Sequence, residues 1–555
     1  MSGLLFPKSF PLMVWVLICT VVPFGRATAW AAVHRRTVES DTAAFIYGFD
    51  FSTQEPDPPS QDTDAKSNNP AAVQSALKVL SSFSGAMMDQ SIDGFGAQNN
   101  PEPSPGAFDT SSIGPRIRMI LNAGGVPVIT LVQAPSWMYT GCANPDTNSY
   151  DYPVPAFGAA PCPEHYADFA ALAAHIAESF PDVKYFVVWS EMRGFFNRST
   201  ESFDAVNYTK MYNDVYDSIK AVRPDAMVGG PYAMMSSYVS PHPDTSDGAL
   251  HGSWGYIDAN SQAALSYWLT HKVGADFVAI DGKTDIASSD SAGISDPLTA
   301  SEKYYAVDEW IRSRTDLPIW WMESHIQPDS GWNVRQAAAA RVATLVLMNA
   351  SDASVGMQWQ PQEQAGWPDE GLWTSTEIAG GGQATLLADL ILQSSPVLSC
   401  RLSLQDSEPA GVVVGTGPAG TIAVNTTNNS VTASLGGRNV VLRPDTVITR
   451  MLTAINPLKT SNTAGYLLSQ NYPNPFNPTT VVQFRLKEAS KVKLEIYNVL
   501  GERLEGWNYG TMEPGTYERE IDLTGFASGV YFYRITARGD DSNNFVSVKK
   551  LMLIK

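Results

Sequence analysis

Between residues 44 and 394, the sequence alternates short apolar runs, rich in β-branched and aromatic residues, with longer segments of helical periodicity. Eight such alternations over roughly 350 residues are typical of parallel strands that are joined by helices and closed into a barrel. An open doubly wound sheet is the competing topology, but it would place a glycine-rich phosphate loop after the first strand, and residues 47–52 offer none. The sequence therefore predicts an α/β fold in which residues 44–394 form a (β/α)8 TIM barrel.

Two of the predicted strands end on a glutamate. The fourth run, residues 185–190, stops at Glu191, and the seventh, which begins at residue 317, stops at Glu323. The carboxyl ends of the strands form the active-site face of a parallel barrel, so both side chains should face one cleft. Paired carboxylates in a cleft are what glycoside cleavage requires, since one protonates the leaving oxygen and the other attacks the anomeric carbon. Taken alone, Glu191 is equally well explained as a solvated loop acid.

Other side chains at predicted strand exits suit carbohydrate binding. Trp137 and Trp359 could stack on sugar faces, although each also suits the core. Trp320 and Trp321 are adjacent on the seventh strand, so one must point into the barrel and the other toward the helices. The remaining candidates to bind sugar hydroxyls or charges are Ser190, Gln133, Gln358, His325 and Arg193. His325 is also explained as a structural histidine, and Arg193 either meets an anionic sugar or pairs with a loop carboxylate.

Composition narrows the class of protein. An apolar share of 44% with 17% charged residues describes a globular chain with an ample core. The net charge of −19 argues against a nucleic-acid partner, which would require a basic face. The sequence contains neither a Cys-x-x-Cys pair nor a clustered histidine set, so we expect no structural metal, and we expect no cofactor.

The first 31 residues have the pattern of a secretory signal peptide. Lys8 precedes an apolar run over residues 10–24, and residues 27–29 or 29–31 offer a small-x-small cleavage site. A membrane anchor is the alternative, but the run is shorter than the ~20 apolar residues of a spanning helix. We therefore expect a mature protein without a membrane span. In an oxidising compartment, Cys142 and Cys162 would form a disulfide across a loop rich in Pro, Asn and Gly, and Cys400 would stay unpaired.

Helical periodicity ends near residue 394. Short alternating runs over residues 395–453 predict a small β module packed on the barrel, with a purely structural role as the simplest interpretation. Residues 454–465 form a polar linker, and residues 466–555 predict a separate all-β, sandwich-like domain.

Four motifs characterise this last domain: LSQNYPNPFNPTT at residues 468–480, IYNVLGE at 496–502, LTGFASGVYFY at 523–533 and KKLML at 549–553. With these motifs it resembles the type A C-terminal sorting domain of the type IX secretion system. The resemblance implies that residues 466–555 engage that machinery. It also implies export across the outer membrane, after the signal peptide has taken the chain to the periplasm, to a secreted or cell-surface location.

Three short motifs in the barrel resemble clan A glycoside hydrolases, nearest to family 39: VWSE at residues 188–191, VGGP at 228–231 and WME at 321–323. The resemblance implies that Glu191 is the acid/base and Glu323 the nucleophile. In that clan an asparagine usually precedes the acid/base, and Ser190 stands there in this chain. Family 39 also commonly places a histidine and a tyrosine at the exit of the sixth strand, where residues 280–283 read IDGK.

The sequence thus predicts a secreted retaining glycosidase that hydrolyses O-glycosyl bonds of a poly- or oligosaccharide by a double displacement. The alternative is a secreted carbohydrate-binding or adhesive barrel that has lost catalysis, which the serine at position 190 motivates. Retention of two strand-end glutamates argues against that alternative, because uncompensated acids in one cleft are costly to a protein that only binds.

Overall fold

A computed structural model describes the following parts of the chain: residues 45–51, 69–92, 100–140, 158–197, 200–241, 250–284, 286–287, 297–326, 333–363, 371–405, 411–435, 438–451, 457–458, 466–471, 474–512, 514–539 and 544–555. The predicted signal peptide, most of the linker and Cys142 lie outside these residues. Within them, no helix is both long and apolar enough to cross a membrane.

Eight parallel strands close into a barrel in sequence order, each paired with the next and the eighth paired with the first. This confirms the predicted (β/α)8 architecture. The strands are β1 (Ile46–Asp50), β2 (Met87–Ser91), β3 (Val126–Leu131), β4 (Tyr185–Val188), β5 (Met227–Met234), β6 (Phe277–Lys283), β7 (Ile319–His325) and β8 (Val355–Trp359).

Eight helices follow the strands and cover the outside of the barrel, as a parallel sheet buried on both faces requires. They are α1 (Pro70–Ser82), α2 (Ile113–Asn122), α3 (Tyr166–Ser179), α4 (Ala205–Val222), α5 (Ala259–His271), α6 (Pro297–Arg312), α7 (Val334–Ala350) and α8 (Leu386–Leu398). Side-chain caps define several starts: Asn69, Asp258 and Asn333 each accept hydrogen bonds from two backbone amides of the first turn.

Inward-facing side chains from successive strands fill the barrel. Phe277 of β6 stacks on Trp320 of β7 with 3.8 Å between ring centroids. Gly229 of β5 makes room for this pair, because a Cβ there would lie 2.2 Å from the Phe277 ring. Trp321 points the other way, where it contacts Tyr304 and donates a hydrogen bond to Asp308 on α6. The expected division of the two tryptophans between barrel and helix layer is therefore confirmed.

The last helix departs from the prediction. The sequence predicted that helical periodicity ends near residue 394, whereas α8 runs to Leu398 through Pro396. Val397 and Leu398 are buried, so the last turn adds to the core. The side chain of Asn349 on α7 donates to the carbonyls of Leu398 and Cys400, which ties this end to the barrel. The β module consequently begins after residue 398 rather than at 395.

The β module comprises a four-stranded antiparallel sheet and a hairpin. Val413, Ile422 and Val424 belong to the same buried cluster as residues of α7 and α8, so the module packs on the barrel helices. Its strands are β9 (Ser403–Leu404), β10 (Val412–Gly417), β11 (Gly420–Asn425), β12 (Val431–Leu435), β13 (Arg438–Leu442) and β14 (Thr446–Met451).

The C-terminal domain consists of two four-stranded sheets that share one apolar core, as the sandwich-like prediction expects. Their side chains alternate between buried and exposed along the central strands. The strands are β15 (Pro457–Leu458), β16 (Leu467–Leu468), β17 (Thr479–Leu486), β18 (Ser490–Tyr497), β19 (Arg503–Met512), β20 (Gly515–Asp522), β21 (Gly529–Gly539) and β22 (Asn544–Leu553).

Cysteine pairing is described at two positions. Cys162 is disulfide-bonded, and Cys400 is a free thiol. Because Cys142 lies outside the described residues, its pairing with Cys162 stays a prediction.

Replacing Phe277 by alanine should destabilise the barrel by about 3–5 kcal/mol, because it opens a cavity beside Trp320. Urea unfolding followed by tryptophan fluorescence would measure the loss. Val273→Ala is the matched control, since the Val273 side chain is 58% exposed, and it should change stability by less than about 0.5 kcal/mol. Equal unfolding midpoints for the two variants would contradict the assignment of Phe277 to the barrel core.

Candidate active site

Three carboxylates meet at the carboxyl ends of the barrel strands. Glu191 follows β4, Asp281 lies on β6 and Glu323 lies on β7, and one oxygen of each lies within 4.8 Å of the others. All three side chains are buried. The structure therefore brings the two predicted glutamates together and adds Asp281, which the sequence interpretation missed. The signal for Asp281 was present, since it also follows an apolar run that was assigned to a strand.

Glu323 is held as a carboxylate by two neighbours. The Tyr232 hydroxyl, from the end of β5, donates to Oε1 at 2.7 Å. His325 Nε2 lies 3.3 Å from Oε2. Burial alone would raise the pKa of Glu323, but the hydrogen bond and charge of His325, together with the Tyr232 hydrogen bond, lower it to about 2. Glu323 is consequently ionised over the whole range in which the protein would work.

Glu191 is oriented by Arg193, two residues further along the chain, which forms an ion pair and a hydrogen bond with Oε2. The Arg193 carbonyl in turn accepts from the indole nitrogen of Trp189 at 2.6 Å. That indole is fully buried against Phe169 and Phe195. The guanidinium thus meets the proposed acid itself, rather than a loop carboxylate, and the core fixes its position.

Asp281 differs from Glu323 in its surroundings. Burial raises the pKa of Asp281 well above its usual range, and the charges of Glu191 and Glu323 and a hydrogen bond with Glu191 raise it further. Lys283 opposes this effect only weakly. The described residues provide no hydrogen-bond partner for Asp281 Oδ1. Asp281 is thus the carboxyl of the three that is held protonated.

A fourth acid, Asp89, lies in the middle of β2. Burial raises the pKa of Asp89 to about 7, against a hydrogen bond that its Oδ2 accepts from Thr130 at 2.6 Å. Asp50, its neighbour in the register of β1 and β2, is also buried. Burial raises the pKa of Tyr232 well above its usual range, and the charges of Glu323 and of both these acids raise it further.

His325 and Trp359 are brought to the barrel mouth. Their rings lie 4.4 Å apart, and Trp359 is partly exposed at the end of β8. His325 is therefore more than a distant structural histidine, because it contacts Glu323 directly. Gln358 is engaged inside the protein, since it accepts from the Tyr47 hydroxyl at 2.6 Å and donates to the Gln360 carbonyl at 3.1 Å.

The other predicted residues have mixed positions. Gln133 lies at the exit of β3, where its side chain accepts from the amide of Gly158 at 3.4 Å. Ser190 is buried, and its carbonyl accepts from the Arg193 amide. The Trp137 indole donates to the Glu102 carbonyl at 2.9 Å and packs edge-on against His165, so its described contacts lie in the loop.

Backbone conformation marks the strand exits. Glu191 and Met192 have φ of 51°, Trp189 has 75°, Tyr232 has 57° and Gln133 has 62°. Residues with a Cβ adopt this left-handed region at a cost of about 1 kcal/mol or more, and they persist there when the surrounding structure imposes it. Two of the residues that form the carboxylate cluster or hydrogen-bond to it, Glu191 and Tyr232, are thus held in strained conformations.

A pocket of about 210 Å³ opens beside Glu191 and Arg193. Two short antiparallel strands, Phe196–Asn197 and Ser202–Phe203, contribute a pair of edge-on phenylalanine rings to its wall. The rest of the lining is formed by Met192, Met234, Ser236, Tyr238, Asp258, Asn260 and Ser261.

Carboxylate oxygens at the spacing of Glu191, Asp281 and Glu323 are also compatible with a divalent cation. Their present partners favour another use. Arg193 brings a positive charge to Glu191, and Tyr232 and His325 engage both oxygens of Glu323. The positive charge of Arg193 and the hydrogen-bonding neighbours of Glu323 already compensate these carboxylates, so we assign no metal to this cluster.

Comparison with known proteins identifies the C-terminal domain. Residues 470–553 match the family model described as the secretion system C-terminal sorting domain. This domain marks proteins that the type IX secretion system exports across the outer membrane. The predicted sorting domain and export are therefore confirmed. A search of curated protein sequences found no match.

Solved structures with a similar course of the chain include three bacterial enzymes. A β-xylosidase from Caulobacter crescentus CB15 matches at 13% identity and a TM-score of 0.47, over 87% of this chain and 98% of that chain. A glucosidase from Croceicoccus marinus matches at 12% and 0.44, over 87% and 94%. A family 39 glycoside hydrolase from Bacteroides cellulosilyticus WH2 matches at 13% and 0.41, over 86% and 79%. Likeness at this level carries no conclusion about activity.

The raised pKa of Asp89 has a consequence for stability. The folded protein keeps a proton on this carboxyl up to about pH 7, whereas the unfolded chain releases it near 3.8. Stability should therefore fall as the pH rises through that window, by about 1.4 kcal/mol for each unit of pKa difference. Asp89→Asn, which can still accept from Thr130, should make this fall less steep by the contribution of Asp89, while Asp281 and Asp308 keep theirs, and thermal unfolding at several pH values would measure the difference.

Asp109→Asn is the control for that comparison. Asp109 is partly exposed, and hydrogen bonds from Ser111 hold its pKa below the usual range, so it does not titrate in the window where Asp89 does. If Asp89→Asn lost stability between about pH 4 and pH 7 as steeply as the wild type, Asp89 would not carry the buried proton.

Proposed function

We propose that the barrel is a secreted retaining glycosidase that cleaves O-glycosidic bonds of a poly- or oligosaccharide by double displacement. The observation that carries the proposal is the proximity of Glu191 and Glu323, since one oxygen of each lies within 4.8 Å of the other. Retaining glycosidases hold their two carboxyl groups about 5–5.5 Å apart, whereas inverting enzymes need about 6.5–9.5 Å to admit a water molecule.

Glu323 suits the role of nucleophile. Its hydrogen bonds with Tyr232 and His325 keep it ionised, and they aim both oxygens from the end of a rigid barrel strand. Attack on the anomeric carbon converts this carboxylate into a glycosyl ester. The Tyr232 hydroxyl can then remain hydrogen-bonded to the ester. Alternatively, its oxygen can turn toward the sugar ring oxygen, where positive charge develops.

Glu191 suits the role of acid and base. It would donate a proton to the glycosidic oxygen in the first step and accept one from water in the second. The pocket beside it offers a place for the leaving group, since the rings of Phe196 and Phe203 present apolar faces of the kind that pack on sugars. Trp359, on the opposite flank beside His325, would contact the sugar that is attacked.

The sorting domain supports a substrate outside the cell. A protein exported across the outer membrane meets polymers that are too large to enter, and glycans are such polymers. Hydrolysis of glycosidic bonds also needs no diffusible cofactor, because the two carboxyl groups and water supply every proton and nucleophile.

Glu323→Gln should abolish hydrolysis of any glycan or aryl glycoside that the wild type cleaves, because the amide cannot form the glycosyl ester. Glu191→Gln should lower turnover of substrates with poor leaving groups by about 10²–10⁴-fold. It should retain activity on aryl glycosides whose phenol leaves without a proton. Release of phenol and reducing sugar from a panel of aryl glycosides and polysaccharides would measure both effects.

Glu309→Gln is the control, because Glu309 is exposed on α6. Full activity of folded Glu323→Gln protein would refute the mechanism. A wild type that binds glycans but cleaves none of the panel would favour the non-catalytic binding barrel.

The stereochemistry of the product tests the mechanism separately. With the two glutamates this close, the first sugar released should keep the anomeric configuration of the bond that was cut. Proton NMR of the fresh product, before it mutarotates, shows which anomer forms first. Release of the opposite anomer would contradict a double displacement between Glu191 and Glu323.

A further inference from the structure

Asp281, Glu191 and Glu323 each bring one carboxyl oxygen within 4.8 Å of the others. Ionised carboxylates only accept hydrogen bonds and repel one another at this distance, so a proton on one of them removes that repulsion. All three residues are at least 94% buried, which leaves bulk water little access to the cluster. Burial and proximity together therefore favour a cluster that holds one proton.

Two of the three carboxyl groups have a donor or a histidine beside them. The Tyr232 hydroxyl donates to Glu323 Oε1, and His325 Nε2 lies 3.3 Å from its other oxygen. Arg193 donates a hydrogen bond to Glu191 Oε2. The described residues provide no hydrogen-bond partner for Asp281 Oδ1, so Asp281 is the group that best accommodates the proton in the resting site.

We propose that Asp281 shares the catalytic proton with Glu191, so that the two carboxyl groups act as one acid of which Glu191 alone touches the substrate. Asp281 is thus a positioning residue for the proton. The inference deepens the glycosidase assignment and rests on it for the chemical step. It goes beyond that assignment because a two-carboxylate mechanism has no role for a third acid.

The charge of the three-carboxylate cluster stays constant through the reaction under this scheme. Three carboxyl groups with one proton carry two negative charges before the reaction. In the first step the proton moves from Asp281 to Glu191, which gives it to the glycosidic oxygen; the bond from that oxygen to the anomeric carbon breaks, and Glu323 becomes a neutral ester. Two carboxylates then remain. Water next adds its hydroxide to the anomeric carbon and its proton to the pair, which frees Glu323.

The charged and titratable groups around Asp281 come from several elements. They are Lys283 on its own strand, Glu191 with Arg193 after β4, Tyr232 on β5, and Glu323 with His325 on β7. Lys303 on α6 passes behind the strand, with its side chain 3.7 Å from where a Cβ on Gly282 would lie. None of these described groups donates a hydrogen bond to Asp281 Oδ1.

Asp281→Asn tests the proposal because the amide keeps the shape and can donate to Glu191 but carries neither a proton to share nor a charge. Glu191 would then lose its acidic partner. The alkaline limb of the kcat/KM profile, measured on a glycoside that the wild type cleaves and whose leaving group needs a proton, should move to lower pH by about one unit or more. Activity at the optimum should fall by about tenfold, with folding checked by circular dichroism.

Asp308→Asn is the matched control. Asp308 is another fully buried acid with a raised pKa, but it lies behind the barrel and bonds with Trp321 and Ser351. Its loss could cost stability, yet it should leave the alkaline limb where it is. An Asp281→Asn enzyme whose limb coincides with that of the wild type would overturn the proposal.

A second measurement needs no substrate. In full-length protein labelled with ¹³C-carboxyl aspartate, infrared spectra near pH 6 should show one protonated aspartate fewer in Asp281→Asn than in the wild type. The difference isolates Asp281 from Asp89 and Asp308, which are also held protonated there. If the wild type cleaves no glycoside but Asp281→Asn loses this band, the assigned activity is wrong and the proton on Asp281 is supported. An unchanged band overturns the pair itself.

Discussion

The barrel mouth depends on holding buried carboxylates within 4.8 Å of one another. Like charges at about this distance repel by several kcal/mol in a partly desolvated site. A different interaction offsets the repulsion at each group: hydrogen bonds to Glu323, a guanidinium beside Glu191 and a proton on Asp281. Three acids of similar chemistry thus have three different surroundings, which is the condition for separate roles in catalysis.

The rest of the barrel maintains that arrangement. The strand exits that carry Glu191 and Tyr232 have left-handed backbone conformations, which a flexible loop would relax. Below them, the stacked rings of Phe277 and Trp320 fill the interior, and the buried Trp189 indole fixes the carbonyl of Arg193. Packing energy from the core therefore stabilises a strained, charged mouth that could not persist alone.

The chain divides its tasks between domains. The barrel carries the candidate chemistry, and the β module closes the outer face of its last helices through an apolar cluster. The C-terminal domain has its own apolar core between two sheets, with a motif set that belongs to export. Because that domain matches a sorting function, its sandwich-like form needs no interpretation as a second sugar-binding unit.

The sequence by itself determined the fold class, since eight alternations of period-two and period-3.6 patterns leave few closed topologies, and it located Glu191 and Glu323 at strand ends. Local motifs of the C-terminal domain also predicted export. Tertiary structure alone decided which side chains meet. Asp281 and Tyr232 acquire their roles from contacts across strands, and a linear pattern does not encode such distances. The protonation state of each acid follows from the same contacts, because burial and neighbouring charge act through space.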